Sequence, residues 1–147
     1  NYGAHQFDRI RAGIRAALKL FLSTAAVLAV LMVVFGRPIT GLFLSAEDPV
    51  LLREASDVAY TYFCVMAAAL PVLYMLYLYQ AGLQGLSCTS IGLVVGVVEL
   101  FLRIGFGLLA AWLQWPFGLF VAEVSAWCGG GVIFAVSYYR SARRLLR

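Results

Sequence analysis

Residues 91–112 read IGLVVGVVELFLRIGFGLLAAW, an apolar stretch whose only charges are Glu99 and Arg103. As a helix rising about 1.5 Å per residue, the stretch reaches about 33 Å, matching the roughly 30 Å core of a bilayer. A charge at the centre of a membrane helix costs roughly 2.5–3.5 kcal/mol on insertion scales, so two of them need a reason. Their spacing of four places both on one helical face, with the acid on the N-terminal side, the order that favours pairing. Such a pair is either neutralised and buried against a neighbouring helix, or faces a water-filled cavity where protonation or substrate can break it.

The rest of the chain supports a membrane setting. Its 147 residues are 63% hydrophobic and 12% charged, against about 25% charged in ordinary soluble domains. A mean hydropathy of +0.91 belongs to a chain mostly embedded in lipid, because a soluble core of this size could not hide so much apolar surface. The composition therefore predicts an all-α polytopic membrane protein. The net charge of +4 does not point to nucleic acid. Arg9, Arg11, Arg15 and Lys19 lie at one end, and Arg140, Arg143, Arg144 and Arg147 at the other. Both groups flank apolar spans as topology-setting charges do, with no aromatic-interleaved basic patch.

Catalytic signatures are missing. The chain contains no HExxH, GxSxG or P-loop motif, so neither an enzyme nor a cofactor is expected. Cys64, Cys88 and Cys128 show no CxxC spacing and read as small buried apolar residues. His5 reads as a solvated residue of the lead-in.

Four spans are legible, at about 16–35, 58–83, 91–112 and 119–139, after an amphipathic lead-in at 1–15 and before a basic tail at 140–147. Gly36, Arg37 and Pro38 are expected to close the first span, and Pro49 to begin a short amphipathic helix on the membrane surface. The short QGLSCTS and QWPF connections predict tight antiparallel hairpins for the second and third spans and for the third and fourth. Tyr60, Tyr62, Tyr77, Tyr79, Trp112, Trp115, Tyr138 and Tyr139 sit near span ends, as an interfacial aromatic belt does. The first loop carries Arg37 and Arg53 against Glu47, Asp48, Glu54 and Asp57, so the positive-inside rule places both ends in the cytoplasm and this loop outside.

Further candidates follow from position. Glu123 enters the fourth span early, either as an interfacial carboxylate or as a partner for Arg103 or for a helix elsewhere. Pro71 falls in mid-span and removes a backbone bond, which makes it a hinge candidate. Gly82 and Gly85 suit a helix end and turn, where the amides of Gln80 and Gln84 could bond exposed carbonyls. Gly92 and Gly96 form a GxxxG, and Gly129, Gly130 and Gly131 follow in the fourth span, all positions that permit close helix approach.

The motifs resemble those of the multidrug and toxic compound extrusion (MATE) family. NYGAHQFDRIRAGIR resembles that family's cytoplasmic connector, and FGRPITGLFLSAEDPVLLREASDVAYTYF, AGLQGLSCTS, VVELFLRIGFG and AEVSAW continue the resemblance in order. It implies the last four of twelve helices, within a C-terminal six-helix lobe. The chain, opening at Asn1 in a polar basic segment, reads as a piece of a longer protein. The resemblance also implies export of small organic cations or drugs, coupled to sodium ions or protons, across a bacterial cytoplasmic (inner) membrane. The missing N-terminal lobe and upstream helices, together with membrane lipid, would be its partners. Glu99 and Arg103 match a charged pair of bacterial members, whereas the second span lacks the core acid that some members carry there. A lipid-linked sugar flippase of the same superfamily and a small four-helix scaffold protein are the alternative readings.

Overall fold

Four helices build the computed structural model: α1 (Phe7–Phe43), α2 (Pro49–Gly85), α3 (Ser90–Trp112) and α4 (Gly118–Leu145). Each is long and apolar enough to cross a membrane, and the all-α membrane class expected from composition is the class observed. The structure describes residues 1–45 and 48–145, so Glu47 of the first loop and Arg147 of the tail lie outside the described residues.

The first two helices run further than their sequence suggests. The basic lead-in joins the first span in one helix, which passes through Gly36, Arg37 and Pro38 and ends at Phe43. A proline removes its own N–H from a helix and crowds the carbonyl four residues back, and here α2 braces the weakened turn. The Tyr60 hydroxyl donates to the Val33 carbonyl at 3.2 Å. Its ring crosses Gly36, where a Cβ would come within 3.1 Å of it. Arg37 pairs with Asp57 at 2.9 Å and lies 4.6 Å over the Tyr60 ring. Pro49 begins a helix as expected, with the Asp48 side chain accepting from the Val50 N–H at 2.8 Å. That helix is not a separate surface element, however, and continues to Gly85. At about 1.5 Å per residue, α1 and α2 each reach about 55 Å, well beyond an apolar core of about 30 Å.

Packing follows the order α1–α2–α4–α3, with α2 against both α1 and α4, and α3 against α4. The α2–α3 connection reverses the chain as predicted, yet the main contacts of α2 are with α1 and α4. A backbone motif makes this reversal. The Ser87 N–H donates to the Gln84 carbonyl at 3.0 Å and the Cys88 N–H to the Leu83 carbonyl at 2.9 Å, the paired bonds of a Schellman C-cap. Its left-handed residue is Ser87, at φ 62°. Gly82 therefore lies within the helix, while Gly85 is its last residue, two positions before the left-handed Ser87. Among the described residues neither the Gln80 nor the Gln84 amide bonds the helix-end carbonyls, because backbone N–H groups already do. The same device ends α3. Gln114 takes φ 48° and donates to Ala111 at 3.1 Å, while Trp115 donates to Ala110 at 2.8 Å.

The apolar core lies where α1 begins and α4 ends. Leu76, Tyr79, Leu83 and Leu86 pack against Val95, Phe134 and Tyr138, with Ile10 and Ile14 of α1 alongside. Gly82 sits at the crossing of three helices, where a Cβ would meet the Tyr138 ring at 3.0 Å and Ile14 at 3.2 Å. Two tyrosines expected at the interfacial belt, Tyr79 and Tyr138, belong to this core. Tyr79 meets its polar requirement through the Tyr139 hydroxyl at 3.1 Å. Cys128, expected to be buried, is exposed, whereas Cys64 and Cys88 are half-buried.

Candidate functional site

Glu99, Arg103 and Glu123 form one ionic cluster across α3 and α4. Arg103 Nη1 donates to Glu99 Oε2 at 3.2 Å, the pairing expected from their spacing. The stronger arrangement joins the two helices. Arg103 Nε donates to Glu123 Oε2 at 2.9 Å and Nη2 to Glu123 Oε1 at 3.0 Å. This is the bidentate fork that a guanidinium makes with a carboxylate. Of the two roles open to Glu123, partner of Arg103 is the one the structure displays. Glu99 is the most enclosed member, its side chain 18% exposed against 35% for Arg103 and 32% for Glu123.

Two neighbouring glycines of α4, Gly129 and Gly130, explain how a carboxylate fits there. A Cβ on Gly130 would collide with Glu99 Oε1 and come within 3.0 Å of Val95 Cγ1. A Cβ on Gly129 would collide with Leu102 Cδ1. Missing side chains at 129 and 130 thus make the hollow that receives Glu99 and its neighbour on α3. The GxxxG of α3 behaves differently, since a Cβ on Gly92 or Gly96 would meet nothing within 4 Å among the described residues. Those glycines line an open space instead of a helix contact.

That space is a cavity of about 170 Å³. Leu73, Tyr77 and Gln80 of α2 border it on one side; Gly96, Glu99 and Arg103 of α3 border it on the other, with Trp127 of α4 among its walls. At roughly 30 Å³ per water it holds several waters or an ion. It is smaller than the roughly 300–1,000 Å³ of pockets for drug-sized molecules. Of the two settings open to the charged pair, the arrangement combines both: helix-helix contact on the Glu123 side and a cavity on the other.

The remaining candidates fall elsewhere. Pro71 lies within α2, where its missing N–H leaves the Ala67 carbonyl without the usual partner. Gly82 is a packing position, while Gln84 and Gly85 are exposed at the α2 end. Position in the sequence puts Tyr77 in the aromatic belt and Gln80 at the helix end, whereas the structure places both on the cavity wall. A signal existed. Gly92, Gly96, Glu99 and Arg103 recur at spacings of four, three and four, so one α3 stripe carries both the small and the charged residues. On α2, Leu73, Tyr77 and Gln80 share a stripe in the same way.

Chemically the cluster offers carboxylate oxygens and a guanidinium beside a small cavity. It can hold or release a cation and can fix helix position through ion pairs. Comparison with known proteins gives one result bearing on this. The sequence model of the MatE family matches residues 1–109, which includes α1, α2 and most of α3 with both Glu99 and Arg103. No curated protein and no solved structure matches.

Proposed function

The chain belongs to the MatE family of membrane transporters, and we propose that it forms part of a secondary active exporter of small organic cations or drugs. Export would be driven by sodium ions or protons through alternating access. The observation that carries this reading is the Glu99–Arg103–Glu123 cluster at the edge of the α2–α3 cavity. Two carboxylates against one guanidinium leave an excess negative charge, which suits a cation. The same charge opposes the pyrophosphate of a lipid-linked sugar.

Unequal bonding supports distinct roles within the cluster. Glu123 is held by two bonds and ties α4 to α3, whereas Glu99 is held by one longer bond. An arriving cation or proton competes for Glu99 first and leaves the interhelical fork in place. Glu99 is then the gating member and Glu123 the orienting one. Pro71, within the helix that forms the opposite wall, is the hinge about which α2 would move. Drug-sized cargo needs more room than the cavity gives, so companion helices of the same chain would complete the pathway. Large apolar side chains such as Val34, Leu93 and Phe101 remain exposed for those helices or lipid to cover. The basic ends support a reading in which both ends of this segment face the cytoplasm, and the family resemblance suggests a bacterial inner membrane as the setting.

The test is accumulation of fluorescent organic cations in cells that lack other pumps and express the full-length protein. Lower dye accumulation than in empty-vector cells is expected, reversed when the sodium or proton gradient is collapsed. Unchanged accumulation of several cations at normal expression would count against cation export.

A further inference from the structure

We propose that Arg11, Arg15 and Arg143 bind the phosphate of an anionic phospholipid in the cleft between the start of α1 and the end of α4. The two ends of the chain, each basic for its own stretch, meet at one end of the bundle, and a cavity of about 350 Å³ opens between them. The three arginines line it, over a floor that includes Ile14, Tyr138 and Tyr139. Guanidinium forks match phosphate oxygens in pairs, and amphipathic tyrosines suit the zone between headgroup and acyl chain.

Arg11 is already engaged within the chain, with Asp8 3.6 Å away, so the charge open to a ligand is carried mainly by Arg15 and Arg143. Among the described residues, Arg15 and Arg143 have no acidic partner within ion-pair distance. Arg15 Nε donates to the Arg11 carbonyl at 3.3 Å. That bond lays the Arg15 side chain along α1 and leaves its two terminal nitrogens for a ligand. A role in setting topology explains why both ends are basic. It does not require three of those arginines, from helices more than a hundred residues apart in sequence, to converge on one cleft.

Position selects a lipid over a free anion. The cavity lies level with the sequence-derived ends of the first and fourth spans, near residues 16 and 139, where lipid phosphates lie. Basic pockets between membrane helices at this depth take anionic headgroups. A bound headgroup would tie the start of α1 to the last turns of α4. The inference rests on the four helices spanning a membrane and not on the exporter reading, so failure of dye export would leave it standing.

The test is lipid binding by the purified full-length protein, measured by native mass spectrometry and by lipid-dependent thermal stabilisation. Phosphatidylglycerol, phosphatidylcholine and inorganic phosphate are the probes. Two variants lose equal charge: R11Q/R15Q/R143Q within the cleft, and R9Q/R140Q/R144Q outside it. Phosphatidylglycerol is expected to bind and stabilise where phosphatidylcholine does not. The cleft variant should bind it about five-fold more weakly for each arginine removed, while the outer variant stays near the parent. Equal losses in the two variants would reduce the effect to diffuse surface charge and overturn the site. Equal stabilisation by inorganic phosphate at matched concentration would overturn the lipid assignment. If the cleft triple does not fold, Arg15→Gln and Arg143→Gln singly must each weaken phosphatidylglycerol binding, and parental binding by both would overturn it too.

Discussion

Arg103 divides its guanidinium unequally, with two nitrogens on Glu123 and one on Glu99. Hydrogen bonds to charged groups contribute about 1.5–3 kcal/mol in water-soluble proteins and less within membranes, where the reference state also finds partners. Glu123→Gln should therefore cost about 1–2 kcal/mol of stability, and Glu99→Gln a smaller amount. Double-mutant cycles on detergent-solubilised protein should give the Arg103/Glu123 pair the larger coupling, and equal couplings would contradict the geometry. Gly130→Ala probes the same place from the other helix. The added methyl meets both Glu99 and Val95, a clash of the size that costs about 1–3 kcal/mol. In a Glu99→Ala background that cost should shrink, because the more severe of the two collisions is gone. An undiminished cost would mean that the hollow is not what holds Glu99. At this scale the sequence was partly readable. The spacing of Glu99 and Arg103 makes them neighbours on any helix, but Glu123 joins them only through the register of α4 on α3, which local sequence does not encode.

Among the elements, the local break signals at Gly36 and Pro38 are overridden by tertiary contacts. Tyr60 of α2 packs over Gly36 and Asp57 pairs with Arg37 between the two break residues, so α1 continues where a lone helix would end. The turn glycines were misplaced for a related reason. The helix ends through residues that accept positive φ, and here those are Ser87 and Gln114 in place of glycine. A side chain in the left-handed region costs roughly 1–2 kcal/mol, and glycine removes that cost while adding freedom to the unfolded chain. Ser87→Gly and Gln114→Gly should thus each stabilise the protein by about 1 kcal/mol or less, read as a rise in melting temperature. A fall in either would mean that the side chain makes a contact worth more than the relief of strain. Among the described residues, the number and class of the helices were legible because apolar length is a strong signal. Their ends were not, because ends depend on what packs there.

For the molecule as a whole, the decisive feature is that α4 is the common partner of α2 and α3 while a cavity stays open between those two. Short loops fixed the alternation of direction along the chain, but loop length says nothing about which helices share their largest interface. The open side can be mapped by thiol labelling once Cys64, Cys88 and Cys128 have been replaced. Leu73→Cys and Gly96→Cys should react with a water-soluble maleimide in the full-length protein, whereas Leu93→Cys, on the outer side of α3, should not. Equal protection of all three would deny water access to the cavity. The account as a whole depends on the charge of the cluster, beyond its shape. The most direct measurement is therefore dye export by full-length protein carrying E99Q, R103Q and E123Q together, a neutral set that stays polar and keeps the size of the two acidic side chains while shortening Arg103. At matched membrane abundance it is expected to lose export, whereas export at the parental rate would contradict the assignment of the cluster to transport.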